Sequence, residues 1–173
     1  ARCVRQLRDA DNMTDQLAAL GALASIPGPE REQALEAFYA RWQHEALVVD
    51  KWLAVQGFAD LPDTPERVAA LWEHPCVEHR NPNRVRAVVQ AFAANRAAFH
   101  RADGAGYVWL TDRLLQLDPL NPQLAARVAG ALSSWRRFAP ARQAQMRTQL
   151  QRLADHGGLS RDLYEIVHRS LEG

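Results

Sequence analysis

A chain of 173 residues that is 47% hydrophobic and 24% charged has the make-up of an ordinary globular domain with one sizeable core. It holds no apolar run long enough to cross a bilayer as a helix, and two cysteines, Cys3 and Cys76, are too few for a disulfide framework, so no membrane partner, reduced thiols and a cytoplasmic setting are expected. The net charge of +1 hides a gradient, with 8 basic and 13 acidic side chains in residues 1–80 against 13 and 7 in residues 81–173, yet the basic residues form no dense run and carry no interleaved aromatics, which argues against a nucleic-acid partner.

The first residues, Ala1-Arg2-Cys3-Val4-Arg5-Gln6-Leu7, read like the end of something helical and include no initiator Met. The expectation is one helical domain over residues 1–173, cut from a longer polypeptide. Asn12-Met13-Thr14-Asp15 then offers capping residues before an i, i+3 stripe of Leu17, Leu20 and Leu23 that ends at Ile26-Pro27-Gly28-Pro29. Pro29-Glu30-Arg31-Glu32 opens a helix with acid in its first turn, and Leu35, Phe38, Tyr39 and Trp42 form its apolar side. The next helix carries Leu47, Val48, Trp52 and Val55 and breaks near Gly57 and Leu61-Pro62.

Thr64-Pro65-Glu66-Arg67 repeats the earlier opening. A shift of 36 residues lays Leu17 on Leu53, Gly21 on Gly57, Pro29-Glu30-Arg31 on Pro65-Glu66-Arg67 and Ala34-Leu35 on Ala70-Leu71. A repeated helix pair at this period is the mark of a helical solenoid. Farther on, Val85, Val88, Val89 and Phe92 make a buried stripe, and a short piece holds Phe99. A turn at Asp103-Gly104-Ala105-Gly106 leads into Tyr107, Leu110, Leu114 and Leu117. Leu124, Val128, Leu132 and Trp135 form the next apolar face, and helices at about 140–155 and 160–171, with an N-cap at Ser160, finish the chain. The predicted fold is all-α: a superhelical α-solenoid of antiparallel helix pairs, HEAT- or armadillo-like, with about ten helices and one concave inner surface.

Two helix starts share a further design. In Asn81-Pro82-Asn83-Arg84-Val85-Arg86 and in Asn121-Pro122-Gln123-Leu124-Ala125-Ala126-Arg127, Asn stands at the N-cap and Pro at the first helical position. Each is followed by an amide and an arginine on one side of the helix, Asn83 with Arg86 and Gln123 with Arg127. Of the 21 basic residues 20 are arginines, whose planar fork suits a carboxylate or phosphate, and a helix N-terminus adds partial positive charge. The plainer reading is an ordinary helix start with solvated arginines.

No autonomous catalytic site emerges. His44-Glu45-Ala46-Leu47-Val48 begins like a zinc-protease helix, but Val48 stands where the second His is needed. His74, Cys76 and His79 are interrupted by Pro75 and lack a fourth ligand, so a helix end with a buried Cys is the expectation. Asp103-Gly104-Ala105-Gly106 is too short for a calcium or phosphate loop, and Trp42, Trp52, Trp72, Trp109 and Trp135 read as packing.

Seven segments in order resemble one family: Asp9-Ala10-Asp11-Asn12-Met13-Thr14-Asp15, Leu47-Val48-Val49-Asp50-Lys51-Trp52, Asn81-Pro82-Asn83-Arg84-Val85-Arg86, Ala98-Phe99-His100, Asp103-Gly104-Ala105-Gly106-Tyr107, Asn121-Pro122-Gln123 and Asp162-Leu163-Tyr164-Glu165. They are similar to the C-terminal helical domain of bacterial aminopeptidase N, a zinc peptidase of the gluzincin group. The resemblance implies a domain that is inactive alone, with no cofactor of its own and with zinc held by the parent enzyme's His-Glu-x-x-His helix. It further implies a bowl that closes over the catalytic domain of the same parent chain and reaches toward peptide substrates. By motif match Gln123 and Arg127 are the substrate-binding candidates, with Arg86 beside them. The competing expectation, from the repeat alone, is a free-standing solenoid scaffold for protein partners.

Overall fold

The computed structural model describes residues 2–172, and among these every regular element is helical. In order they are α1 (Arg2–Asp9), α2 (Met13–Ala24), α3 (Pro29–Trp42), α4 (Ala46–Gly57), α5 (Thr64–Trp72), α6 (Pro82–Val85), α7 (Ala91–Ala94), α8 (Arg96–Phe99), α9 (Ala105–Leu117), α10 (Pro122–Ser133), α11 (Pro140–Ala154) and α12 (Arg161–Glu172). The surplus over the expected number comes from short pieces. A π turn at Arg86–Gln90 joins α6 to α7, and Val85, Arg86 and Ala91 all keep right-handed helical dihedrals, so the three form one rod. A single 3₁₀ turn, Trp135–Arg137, follows α10.

The helices alternate between two layers. One holds α2, α4, the α6–α7 rod, α10 and α12; the other holds α3, α5, α9 and α11. Within the first, α2 packs on α4, α4 on the rod and α10 on α12, while in the second α5 packs on α9 and α9 on α11. Sequence neighbours close the space between layers, as α2 with α3, α4 with α5, α9 with α10 and α11 with α12. This is the architecture of stacked helix pairs that the 36-residue period predicts, with α2–α3 and α4–α5 as the two matching units.

The stripes lie where the spacing puts them. Val85, Val88, Val89 and Phe92 are fully inaccessible, as are Tyr107, Leu110, Leu114 and Leu117. Each such side chain contributes roughly 1.5–3 kcal/mol by leaving water. Leu47 departs from expectation, being 72% exposed. The buried stripe of α4 is Val49, Trp52 and Leu53, and at 100° per residue Leu47 falls on the opposite side of the helix from Val49.

Polar groups stitch the layers together. Trp52 Nε1 donates to the Leu35 carbonyl (2.9 Å), tying α4 to α3, and Trp135 Nε1 donates to the Ser170 carbonyl (2.9 Å), tying the end of α10 to α12. Asp118, buried at the end of α9, accepts from the Ser160 N–H (2.7 Å) and hydroxyl. That hydroxyl in turn accepts from Leu163 N (3.2 Å), which makes Ser160 the N-cap the sequence predicts. Gly57 lets α4 approach the rod, because a Cβ there would sit 2.9 Å from Ala91 Cβ and 3.1 Å from Phe92 N. Its repeat partner Gly21 has nothing within 4 Å, so the shared glycine serves a close approach in one unit only.

Candidate functional site

Both Asn-Pro sequences start helices as expected. Asn81 Oδ1 accepts from the N–H groups of Asn83 (3.0 Å) and Arg84 (3.5 Å), and Asn121 Oδ1 accepts from Leu124 N (3.0 Å), with Pro82 and Pro122 in the first turn. The capping satisfies donors that would otherwise have no partner inside the helix.

Beyond the caps the two starts differ. Arg86 is engaged locally: its Nε donates to the Pro82 carbonyl (3.1 Å) and its Nη2 to Asn83 Oδ1 (2.6 Å). It lines a groove of about 380 Å³ with Leu47, Asp50, Lys51, Ala54, Asn83 and Ala87. Asp50 is itself held by Arg84, whose guanidinium also donates to the Ala46 carbonyl (2.8 Å). Gln123 and Arg127 are both exposed, and among the described residues neither side chain makes a hydrogen bond or ion pair. The buried face of α10 is Leu124, Ala125, Val128, Ala129 and Leu132, which leaves Gln123 and Arg127 stacked one turn apart on the outer side.

The far ends of the rod and α10 share a cleft of about 820 Å³. Ala93 and Ala94, at the end of the rod, and Gly130, Ala131 and Ser134, at the end of α10, share its walls. Both Asn-Pro starts lie at the other ends of their helices, and Arg127 stands one turn before the Gly130–Ala131 wall on the same side of α10. Gln123 and Arg127 are neighbours on α10, whereas Arg86, on the rod, hydrogen-bonds to Pro82 and Asn83. The arginines of the cleft itself, Arg96, Arg137 and Arg142, come from three separate segments, and no local sequence pattern marks them.

The residues present do not fit a zinc centre. His74 Nδ1 accepts from Cys76 N (3.2 Å) and lies 3.0 Å from Cys76 Sγ. His79 instead stacks on Trp72, with ring centroids 4.2 Å apart, and is bonded to the Trp72 carbonyl (3.1 Å). Burial pushes the Cys76 thiol up and the His74 imidazole down, which favours the uncharged form of each. Cys76 is half-buried, less enclosed than expected. No group of three His, Cys, Asp or Glu side chains among the described residues is placed to hold a metal, and Glu45 of the failed zinc-helix motif is the N-cap of α4. No described helix is long and apolar enough to cross a membrane.

Residues 1–172 match a domain family described as "Domain of unknown function (DUF3458_C) ARM repeats". The chain is 45% identical over 172 residues to aminopeptidase N of Caulobacter vibrioides, covering 99% of this chain and 20% of that protein. Identity to the Haemophilus influenzae aminopeptidase N is 40% over 169 residues (97% and 19%), and to that of Escherichia coli 38% over 168 residues (96% and 19%). A crystal structure of Legionella pneumophila aminopeptidase A in complex with aspartic acid superposes with a TM-score of 0.94 at 32% identity, over 98% of this chain and 20% of that one. The chain thus spans about a fifth of the length of the curated relatives it matches.

Proposed function

The chain belongs to the DUF3458_C family of ARM-repeat domains, and from that premise we propose that it is the C-terminal, chamber-capping domain of a zinc-dependent cytoplasmic aminopeptidase. Near full-length identity of 38–45% to three aminopeptidases supports this reading over a free-standing scaffold. In it the zinc and the general base belong to the catalytic domain of the parent chain, and this domain supplies walls and peptide contacts while being inert alone.

The observation that carries the reading is the Gln123–Arg127 pair: two neighbouring side chains, exposed and without partners among the described residues, on the outer side of α10. A substrate peptide would meet an amide able to donate and accept and a guanidinium able to take its terminal carboxylate in two-point fashion. Arg86 contributes positive charge from the rod, but its bonds to Pro82 and Asn83 give it less freedom to turn toward a ligand.

Arg127→Ala in the full-length protein separates the carboxylate role from general damage. A hydrogen bond to a charged group is worth about 1.5–3 kcal/mol, so kcat/KM on alanyl peptides with a free carboxylate is expected to fall by roughly tenfold or more. On an alanyl anilide without a carboxylate the fall is expected to stay within about twofold. Equal losses on both substrates reject the carboxylate role.

A further inference from the structure

The far ends of the rod and α10 carry a second concentration of positive charge. The cleft of about 820 Å³ between the end of the rod, α8, the end of α10 and the start of α11 is walled by Arg96, Arg137 and Arg142, together with His100, Ser134 and Phe138. None of its lining residues is acidic, and the first turn of α11 contains no acid. Several arginines elsewhere on the molecule are met by carboxylates: Arg67 by Glu32 and Asp63, Arg101 by Glu66 and Asp103, Arg152 by Asp112. Among the described residues Arg96 and Arg137 have no such partner, and Arg142 makes a single bond, from Nε to the His100 carbonyl (2.8 Å), that leaves its Nη atoms uncommitted.

The walls are shaped to admit a ligand. Ala93, Ala94, Ala97, Gly130 and Ala131 are small, so the helices enclose volume where larger side chains would have filled it. His100 faces the cleft with its Nδ1 2.8 Å from the Tyr107 hydroxyl, and its ring packs on Phe138 at 4.3 Å. Burial, then Arg142 and Arg96, hold the imidazole below its usual value, so at neutral pH the positive charge belongs to the guanidiniums. Three guanidiniums around an acid-free cleft mutually repel, and an oxyanion relieves that repulsion while accepting their N–H groups in pairs.

We propose that this cleft, one turn beyond Arg127 along α10, is an oxyanion-binding site that takes a carboxylate or phosphate group through Arg96, Arg137 and Arg142. Ser134 supplies a hydroxyl at the same wall, and the apolar floor with Phe138 accommodates the small aliphatic part of an attached molecule. The site does not depend on the peptidase reading.

Calorimetric titration of the full-length protein tests this with three probes: N-acetyl-dialanine, which carries a carboxylate and no free amine, its C-terminal amide, and inorganic phosphate. N-acetyl-dialanine is expected to bind at least about tenfold more tightly than the amide. Measured in a Gln123→Ala/Arg127→Ala background, where the α10 pair cannot take the carboxylate, adding Arg96→Gln/Arg137→Gln is expected to cost about tenfold or more and adding Arg137→Lys less. Because Arg96 and Arg137 are exposed and unpaired, their replacement leaves the fold intact, which a matching thermal transition verifies. Phosphate binding with the same arginine dependence, and none by the acetylated dipeptide, upholds the site and names phosphate as its source. In that background, equal affinity for dipeptide and amide without phosphate binding, indifference to Arg96 and Arg137, or no saturation by any probe overturns the proposal.

Discussion

Gly106→Val is expected to remove about 3 kcal/mol or more of stability, at or above the upper end for overpacking a core. Gly106 lies in the first turn of α9, where a Cβ would stand 2.4 Å from the Phe99 carbonyl oxygen and 3.1 Å from that residue's C and Cα. The obstacle is backbone, so it cannot rotate away as a side chain would. Phe99 is itself fully buried, its ring edge-on to Phe92 at 5.6 Å and to Tyr107 at 5.3 Å, so a shift of its peptide moves three aromatic rings. Even alanine is expected to destabilise here, although alanine favours helix over glycine by up to about 1 kcal/mol. Gly21→Ala, with open space around it inside α2, is the matched control and is expected to gain up to about 1 kcal/mol. Urea midpoints for the three variants check the set; a Gly106→Val midpoint equal to the parent's contradicts the packing described.

Asn95 carries the second large effect. It is 8% exposed, its Nδ2 donates to the carbonyls of Gly57 (3.1 Å) and Ala59 (2.9 Å), and its Oδ1 accepts from Ala98 N (3.2 Å). One side chain thus closes the end of α4 and starts α8. Thr64 shares the Ala59 carbonyl through its hydroxyl (2.8 Å), but among the described side chains only Asn95 reaches the Gly57 carbonyl. Asn95→Ala leaves buried polar groups unpaired and is expected to cost about 3 kcal/mol. Asn95→Asp keeps the cap acceptor but turns two donors into a carboxylate facing two carbonyls, and is expected to cost at least as much. An Asp variant as stable as the parent would mean that the bonds to Gly57 and Ala59 contribute nothing.

Much of this fold is legible residue by residue. Pro29-Glu30-Arg31 and Pro65-Glu66-Arg67 announce α3 and α5 because Pro and acid belong in a first turn, and the stripe Val85, Val88, Val89 and Phe92 is inaccessible as its spacing requires. The π turn at Arg86–Gln90 left no mark in the sequence, since it lies where α4 docks, a tertiary contact rather than a local preference. The same limit explains Leu47, which looks apolar and core-bound until the side of α4 that meets α2 and the rod is known.

The candidate site divides along the same line. Spacing alone makes neighbours of Gln123 and Arg127, and of Asn83 and Arg86. What spacing cannot give is that Asn83 and the Pro82 carbonyl occupy Arg86 while Arg127 stays unpaired, because that depends on which side of each helix is covered. The cleft arginines are farther from view still, since Arg96, Arg137 and Arg142 belong to three separate segments that meet at one opening only in the folded chain.

The central claim is that the α10 rim touches the peptide being processed. A photo-crosslinking benzoylphenylalanine at position 123 of the full-length protein reads that contact directly. Under illumination with an alanyl tripeptide during turnover, the account predicts a covalent peptide adduct at 123 that excess unlabelled tripeptide suppresses, and none when the same group replaces the exposed Arg147 of α11. Turnover without an adduct at 123, or equal labelling at 123 and 147, contradicts it.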